Sequence, residues 1–492
     1  MMLFMMDSLT FPANFRLLQL WFSVQLCYYI YAQLSTKKKY FRLSIYPPSR
    51  PPFTGNLLDM SFRVSRRLVR RSVFPAHQCL FSLITAASCL FLPYVVKWQK
   101  HRKGAECVTD YPTSLLPDRG RCTGCGACAS GCPKGAIHML PDREGFLYPT
   151  VTDACIQCGH CAHICPVLKQ REPRPEPAVF AAWNPDAAVR QTSTAGGVFP
   201  LLAEYILDEG GVVFGAALDQ ELRVRHIAVK DKAELPRLQG AKPVQSDLGD
   251  SFRRVRHYLD QGRRVLFSGT PCQVDGLYHF LGEHPERLLT CDVVCSGVSS
   301  PGVWGQLVRS MAYIKRQPPV DVCFCGKLPG EKDRRFRVRF AGGAQYDAPF
   351  GKSDFGRGLR QRLFLRPACH RCPYTSTDRP ADLTLGIYRD PPKDFHPEVP
   401  RYSISLLLVN SAKGAHYFDT LPLKREKLTL DQAVACAGAL SAPQEASGSR
   451  EDFFAAFCQQ PFQQVRNRFL SASPLPQPLE RLRQLLKHPK EK

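Results

Sequence analysis

Twelve of the 21 cysteines in this 492-residue chain stand at spacings that suit metal ligation. Two runs have the same form: three cysteines separated by two residues each, a fourth after three more residues, and then a proline. The first run spans 122–133 and the second 155–166. The pattern is unlike a secreted disulfide framework, and zinc usually takes two separated Cys-x-x-Cys pairs. Tandem runs favour thiolates that hold clusters in a reducing compartment, for which we expect a cytoplasmic location.

This run of cysteines is the one by which bacterial ferredoxins hold two 4Fe-4S clusters, the fourth cysteine of each run binding the other run's cluster. Two-residue gaps let three thiolates wrap one face of a cluster, and Gly124, Gly126 and Gly159 permit the tight turns. The first predicted set is Cys122, Cys125, Cys128 and Cys165, and the second is Cys155, Cys158, Cys161 and Cys132. Two such clusters carry electrons singly, so a reaction site elsewhere is implied.

Four later stretches carry further chemical signals. A Ser/Thr and Gly cluster at 192–198 leads into an amphipathic helix, and the free N–H groups there suit a phosphate or a flat ring. A capped helix start explains the same pattern. Cys272 and Cys295 each follow a predicted strand, and Cys369 and Cys372 form a Cys-x-x-Cys pair. A single buried cysteine is usually a small apolar side chain, but these four together are enough for a third four-thiolate site.

The elements that must position these residues fall into two regions. Residues 106–170 form the cysteine-rich module, 171–177 a charged, proline-rich linker, and 178–470 one mixed domain before a tail at 471–492. We predict an α+β fold in which a bacterial dicluster ferredoxin module is followed by a mixed α/β domain. The predicted strands are 179–183, 211–217, 224–229, 264–268, 289–295 and 404–410, and the predicted helices are 198–207, 252–259 and 479–486.

The first 105 residues differ from the rest of the chain in amino-acid composition. They hold 15 lysines and arginines against two acids, Asp7 and Asp59, in a chain of net charge +23. A basic surface can indicate nucleic acid or an anionic membrane, but no nucleic-acid motif with stacking aromatics is present. The charge-free stretch 72–96 is long enough to span a bilayer, yet it contains prolines and a histidine. We favour an unstructured or spurious extension, read from a misplaced start, over a membrane anchor.

Several segments resemble the coenzyme F-420 hydrogenase/dehydrogenase beta-subunit family, including its frequent arrangement of a dicluster ferredoxin before a flavin domain. The resemblance covers about residues 106–470, in order. The matching segments are Gly196-Gly197-Val198-Phe199, Gly240-Ala241-Lys242-Pro243-Val244-Gln245-Ser246-Asp247, Ser268-Gly269-Thr270-Pro271-Cys272-Gln273, Val294-Cys295-Ser296-Gly297-Val298-Ser299-Ser300-Pro301, Arg366-Pro367-Ala368-Cys369-His370-Arg371-Cys372 and Arg450-Glu451-Asp452-Phe453-Phe454.

This resemblance implies that 178–470 is a flavin-binding domain with FAD and a further 4Fe-4S cluster. The implied ligands of the third cluster are Cys272, Cys295, Cys369 and Cys372. The implied flavin-lining residues are Ser193, Gly196, Gly197, Lys242, Gln245 and Ser246. The lysine would stabilise the anion of a reduced flavin, although an exposed or ion-paired lysine is an equally good interpretation.

The chain also departs from the family pattern. Residues 381–386 lead into Ile387-Tyr388-Arg389, where the family usually has an Asp and a Trp. Pro243 replaces a usual aromatic residue, and Ser296 replaces a usual histidine. These changes bear on contacts to the flavin edge and the substrate more than on the clusters. No role is implied for the remaining cysteines of this region, which we interpret as structural: Cys291, Cys323, Cys325, Cys436 and Cys458.

The implied function is that of an oxidoreductase. Such an iron–sulfur flavoprotein would reduce or oxidise a soluble carrier, either ferredoxin or an F-420-like deazaflavin, or a small substrate. Oxidoreductase subunits are candidate partners, whereas nucleic acid and membrane are not expected. The alternative is a non-catalytic electron-transfer subunit with a vestigial flavin domain, serving a partner enzyme, for example in polysaccharide biosynthesis.

Overall fold

The computed structural model describes residues 115–326, 331, 333–389, 391–392, 394–396 and 398–471. The predictions for the extension at 1–105, for its candidate membrane span and for the terminal helix at 479–486 lie outside these residues. Within the described ranges, the α+β fold class is confirmed, because helices and sheets alternate irregularly along the chain and a ferredoxin-like hairpin precedes them.

The strands form three sheets. A 2-stranded hairpin lies in the ferredoxin module, a 3-stranded antiparallel sheet has the order β10-β9-β8, and an 8-stranded mixed sheet has the order β13-β3-β12-β11-β7-β6-β4-β5. The strands are β1 Ile137–Pro141, β2 Leu147–Val151, β3 Ala178–Trp183, β4 Val212–Leu218, β5 Val224–Val229, β6 Val265–Gly269, β7 Leu288–Val293, β8 Pro319–Gly326, β9 Arg335–Phe340, β10 Gln345–Pro349, β11 Leu383–Ile387, β12 Ser405–Val409 and β13 Lys424–Leu428.

Helices cover both faces of the large sheet. The α-helices are α1 Ala127–Gly131, α2 His160–His163, α3 Ala187–Thr192, α4 Val198–Asp208, α5 Ser251–Asp260, α6 Pro271–Leu281, α7 Pro301–Lys315, α8 Asp354–Arg360, α9 Ala412–Thr420, α10 Leu430–Cys436, α11 Arg450–Gln459 and α12 Phe462–Val465. Short 3-10 turns occur at Lys232–Leu238, Phe350–Lys352, Pro367–Arg371, Arg401–Ser403 and Gly438–Leu440, and a π turn at Arg466–Leu470.

Alternation along the central strands divides the core into two layers. Leu266 of β6 packs with α4 and α9, whereas its neighbour Phe267 packs with α5 and α6. Successive side chains of a strand point to opposite faces, so a sheet covered on both faces needs apolar residues at every position. Strand β6 meets this requirement with Val265-Leu266-Phe267, all fully buried.

The ferredoxin module packs on the second domain through a further apolar cluster. Phe146 and Tyr148 of the module join Trp304, Phe364 and Phe454 in one buried core. Glu144 in the turn of the hairpin also pairs with an arginine at the start of α11, with 2.6 Å between the charged atoms. A core that crosses the boundary holds the cysteines of the module at a set distance from the central sheet.

The parallel strands of the sheet create the edge at which the later cysteines lie. Strands β6 and β7 are parallel neighbours, with Gly269 opposite Asp292, and β7 is parallel to β11. Their carboxyl ends therefore meet at one edge, the place where open α/β sheets bind ligands. None of the helices in the described ranges has the length and apolar character required to cross a bilayer.

Candidate functional site

The four cysteines predicted to hold the first cluster line one cavity. Cys122, Cys125, Cys128 and Cys165 all lie on the wall of this cavity, which is partly open to solvent. Gly124 and Gly126 between them have φ angles of 73° and 74°, in the left-handed region where a glycine costs little. The local turn therefore forms a thiol-lined cradle.

None of the cysteines in the described ranges forms a disulfide, and several accept hydrogen bonds from backbone amides. The N–H groups of Ala136, Gln157 and Gly297 approach the sulfurs of Cys132, Cys155 and Cys295 at 3.3, 3.4 and 3.4 Å. Amide donors of this kind stabilise thiolates and tune iron–sulfur clusters.

Burial and crowding make these thiols poor acids without a cation. Burial raises the pKa of Cys128 well above its ordinary value, and the nearby Cys122 and Cys165 add to the shift. Burial likewise raises the pKa of Cys272 to about 11, with a contribution from Cys295. An iron–sulfur core supplies the positive charge that allows such sulfurs to exist as thiolates, so the donor set fits clusters.

The four thiols of the first set line one cavity. In the described part of the chain, no three His, Cys, Asp or Glu side chains converge closely enough to hold one metal ion. The thiolates around a 4Fe-4S cluster each bind a different iron, so they surround a volume instead of meeting at a point.

The two predicted ferredoxin sets differ in exposure. Cys122 and Cys125 of the first set are buried against the second domain, whereas Cys158 of the second set is exposed and its neighbour Ile156 is 57% exposed. The second set therefore lies on the solvent side of the module and the first set on the domain side.

The four cysteines predicted for a third cluster are brought together by the central sheet. Cys272 follows β6 at the start of α6, and Cys295 follows the parallel strand β7. Cys369 and Cys372 lie on and just after the 3-10 turn Pro367–Arg371. Burial is the largest cause that raises the pKa of Cys369, and the thiols of the other three cysteines raise it further. All four are therefore electrostatic neighbours.

One helix connects the first set with the third. Helix α6 begins next to Cys272, and one turn later Gly276 faces the ferredoxin module. A β-carbon at Gly276 would lie 2.9 Å from both Cβ and Sγ of Cys125. Because residues at i and i+4 share a helix face, the sulfur of the first set rests directly on the turn that follows Cys272.

Three of the predicted flavin residues lie at the start of α4. Gly196 donates its N–H to the Ser405 hydroxyl at 2.9 Å, and Gly197 is the N-cap of α4 with φ 73° and no side-chain cap. The hydroxyl of Ser193 donates to the Val189 carbonyl at 2.7 Å. The free amides of α4 therefore meet no capping side chain.

The other three predicted flavin residues lie on the segment before α5, and their side chains face different ways. The Lys242 ammonium donates to the Gln239 carbonyl at 2.7 Å, and burial lowers its pKa to about 8. The Gln245 amide accepts from Leu147 N of the ferredoxin module at 3.0 Å. Gln245 thus borders the first cluster set, which the sequence did not indicate.

Ser246 belongs to a buried histidine contact that the sequence also did not single out. His226 lies 2.7 Å from the Ser246 hydroxyl through Nδ1 and 3.0 Å from the Ser268 carbonyl through Nε2. Its ring stacks on Phe267 with 5.3 Å between centroids. A histidine at a buried position of β5, beside Ser268 near the end of β6, is a signal that an alternation analysis of β5 could have found.

The departure from the family pattern forms an ordered segment. Tyr388 follows β11, is 5% exposed, and packs edge-on against Phe395 with centroids 5.5 Å apart. Arg389 and Arg334 both lie near Cys325, and Arg334 donates to the Thr194 carbonyl at 3.0 Å. Cationic side chains thus lie beside the glycine-rich approach to α4.

The buried imidazole predicts acid-sensitive stability. Burial lowers the pKa of His226 to about 4, below the value near 6.5 of an unfolded histidine. The folded state requires the neutral ring, so this contribution is complete above pH 6.5 and is lost as the pH falls from 6.5 towards 4. It amounts to about 3 kcal/mol in all, or about 1.4 kcal/mol for each pH unit within that window.

Urea unfolding at pH 7.5, 6.5 and 5.5 measures this effect. The His226→Gln variant should be less stable at pH 7.5 but should lose less stability on acidification. The exposed His138→Gln variant serves as control and should follow the wild type. Equal pH slopes in the wild type and the His226→Gln variant would contradict the assignment.

The tandem cysteine sets and the sheet that faces them define an iron–sulfur electron-transfer protein of the oxidoreductase class. Residues 121–168 match the family model of the 4Fe-4S dicluster domain, and residues 262–434 match that of the carboxyl-terminal part of the beta subunit of coenzyme F420 hydrogenase/dehydrogenase. Residues 262–434 are therefore similar to the carboxyl-terminal part of this beta subunit, and an iron–sulfur dicluster domain stands in front of them.

Two relatives accompany these matches. An uncharacterized ferredoxin of Methanocaldococcus jannaschii is 38% identical over 52 residues, which cover 11% of this chain and 68% of the relative. A chain of the F420-reducing NiFe hydrogenase complex from Methanosarcina barkeri is 16% identical, with 55% of this chain and 89% of that chain covered and a TM-score of 0.37.

Proposed function

We propose that this chain is an iron–sulfur flavoprotein oxidoreductase in which three 4Fe-4S clusters connect an external electron carrier with a bound FAD. The observation that carries the proposal is the contact between Gly276 of α6 and the sulfur of Cys125, one helical turn after Cys272. It makes the first and third cysteine sets neighbours. Electron transfer between cofactors needs such closeness, whereas two independent metal sites do not.

The cysteine sets are ordered from the surface inwards. The second set, with exposed Cys158, faces solvent, the first set faces α6, and the third set lies at the carboxyl edge of the sheet. An external one-electron partner would meet the second set, and a soluble carrier or small substrate would meet the domain. The free thiols of the described part agree with a cytoplasmic location.

The start of α4 is the proposed flavin site. Its uncapped amides behind Gly196 and Gly197 suit an anionic or planar group, and Arg334 is bonded to the preceding loop. A bound flavin would exchange electrons in pairs with a substrate and singly with the clusters. The half-buried Lys242, with its lowered pKa, can release or accept a proton near pH 8.

A non-catalytic electron-transfer role is the second candidate. The side chain of Gln245 bonds to the ferredoxin module, that of Ser246 to His226, and Tyr388 packs against Phe395. These contacts favour a domain in which protein side chains occupy the space that the edge of a flavin would need. In that case a partner enzyme would carry out the substrate chemistry.

Iron and flavin analysis separates the two candidates. Anaerobically purified protein should hold about twelve irons and one flavin, as three 4Fe-4S clusters and one FAD require. The Cys272→Ser variant should lose about four irons and keep the ferredoxin clusters. The Cys436→Ser variant is the matched control, because this thiol belongs to none of the three cysteine sets and donates to the Ala433 carbonyl at 3.3 Å.

The contrary results are equally definite. About eight irons in the wild type, or an unchanged iron content in the Cys272→Ser variant, would contradict the third cluster. Absence of flavin would favour the non-catalytic role. Titration of the loaded protein with NADH, reduced ferredoxin and reduced F-420 then identifies the carrier as the reductant that bleaches the flavin, and bleaching by none of them would exclude a carrier oxidoreductase.

A further inference from the structure

Arg366 is a fully buried cation at the boundary between the ferredoxin module and the second domain. Its exposure is 0%, and its guanidinium donates to the Cys122 carbonyl at 2.8 Å and to the Leu147 carbonyl at 3.1 Å. It also donates to Gln245 Oε1 at 3.2 Å and lies 3.9 Å from the centroid of the Tyr148 ring. Every one of these partners is uncharged.

Two other arginines that are largely buried have carboxylate partners. Arg379 pairs with Asp292 at 3.0 Å, and Arg450 pairs with Glu144 at 2.6 Å. Within the described ranges, Arg366 makes no ion pair with a carboxylate. A buried charge without a counter-charge strongly destabilises the folded state, so an anion is expected close to Arg366.

The sulfur of Cys122 is the nearest candidate for that anion. The guanidinium Nη2 lies 3.7 Å from Cys122 Sγ, within the range of a hydrogen bond to sulfur. The cation therefore faces one cysteine of the first set directly.

The backbone of Arg366 is attached to the third set. Its N–H donates to the Val298 carbonyl at 3.0 Å, three residues after Cys295, and its carbonyl accepts from Cys369 N at 2.9 Å. The backbone of Arg366 is hydrogen-bonded to segments of the third set, and its side chain reaches Cys122 of the first set. These contacts place the charge at a fixed point between the two sets. Since a guanidinium stays protonated in proteins, this charge is permanent.

We propose that Arg366 is a positioning residue that acts as the counter-cation of the first ferredoxin cluster and raises the reduction potential of that cluster. Reduction adds one electron to the cluster, with no bond broken and no proton moved, and the electron comes from the external carrier. A fixed positive charge stabilises the added negative charge in a buried site. The effect on the first cluster requires only the dicluster module.

A weaker effect on the third cluster follows from the same position and rests on the proposed function. The two parts are distinguishable, because the absence of a third cluster would appear as missing iron and would leave the potential of the first cluster open to measurement.

Redox titration of the anaerobic full-length protein, followed by electron paramagnetic resonance, tests the proposal. In the Arg366→Gln variant, one-electron reduction of the first cluster should become at least tenfold less favourable, a midpoint about 59 mV more negative. The Arg366→Lys variant keeps the charge and should shift the equilibrium by less than about threefold, or less than about 30 mV at 59 mV per tenfold change. The midpoint of the second cluster should not move in either variant.

Two controls separate charge from packing. The double variant Arg450→Gln/Glu144→Gln removes a largely buried pair of no net charge beside the same hairpin and should leave the midpoints unchanged. If the Arg366→Gln protein fails to load its clusters, the Lys variant decides: loading with near wild-type midpoints supports the charge role, and failure to load overturns it. An Arg366→Gln protein with full iron and wild-type midpoints also overturns it, as does a Lys variant shifted as far as the Gln variant.

Discussion

The Gly276→Val variant is expected to lose the first cluster, with about four irons lost from each chain. Gly276 is buried in α6, and Cys125 fills the space that a side chain at this position would need. The Cβ and Sγ of Cys125 would lie 2.9 Å from a β-carbon added at Gly276. Real β-carbons do not approach other atoms so closely, so either the ligand or the helix must move. Overpacking of this kind costs about 1–3 kcal/mol, and a displaced Cys125 thiol would no longer lie with the other three thiols of its set.

The control for this prediction is another glycine inside a helix. Gly305 lies in α7, where an added β-carbon would meet its nearest neighbour, Arg309, at 3.7 Å. The Gly305→Val variant therefore tests the loss of a helical glycine without the clash, and it should keep its full iron content. The measurement is iron and sulfide analysis of anaerobically purified protein, together with its electron paramagnetic resonance spectrum. Full iron and wild-type midpoints in the Gly276→Val protein would contradict the contact.

Loss of the Arg379 guanidinium is expected to destabilise the folded protein by about 3–5 kcal/mol, because it leaves Asp292 as an unpaired buried charge. The two side chains are 1% and 0% exposed and 3.0 Å apart. Burial already raises the pKa of Asp292, and Arg379 acts in the opposite direction. The same guanidinium donates to the carbonyls of Tyr374 and Val293, so it also ties the Cys372 loop to β7.

A double-mutant cycle isolates the ion pair from the other contacts. Arg379→Gln alone should shift the urea midpoint strongly, whereas Arg379→Gln with Asp292→Asn should recover a large part of the loss, since no charge is then left unpaired. An additive double variant would show that the carbonyl contacts, and not the ion pair, carry the effect. The iron content of each variant reports whether the Cys372 loop remains in place.

The first two cysteine sets illustrate how much could be predicted from local spacing. Each run of three cysteines spans only a few residues, so the turn that presents the thiols is a property of that segment. Gly126 and Gly159 precede α1 and α2 in the same left-handed conformation, as the spacing implied. The strands at 179–183 and 264–268 were likewise predicted nearly at their observed bounds, because apolar runs are typical of strands buried on both faces. The strand at 224–229 was also predicted at its observed bounds, although Arg225 and His226 interrupt its apolar run.

Other parts of the chain were not predicted or rested on weaker signals. The 3-stranded sheet β8–β10 was not predicted, although the alternation of Arg335-Phe336-Arg337-Val338-Arg339-Phe340 in β9 is the pattern of a strand that buries one face. The third cysteine set was inferred from a family resemblance, since its members come from three separate segments. The flavin residues stay a prediction, although the structure divides them between the start of α4 and the segment before α5.

The tandem cysteine motif by itself determined the cofactor class of the dicluster module and predicts its ligands, because thiol spacing within a short segment is set by local backbone geometry. Tertiary structure alone decided what that module touches. The parallel pairing of β6 with β7 brings Cys272 to Cys295, the bare face of Gly276 admits Cys125, and the burial of Arg366 places a cation beside Cys122. These contacts join residues distant in the chain, and packing between layers determines them.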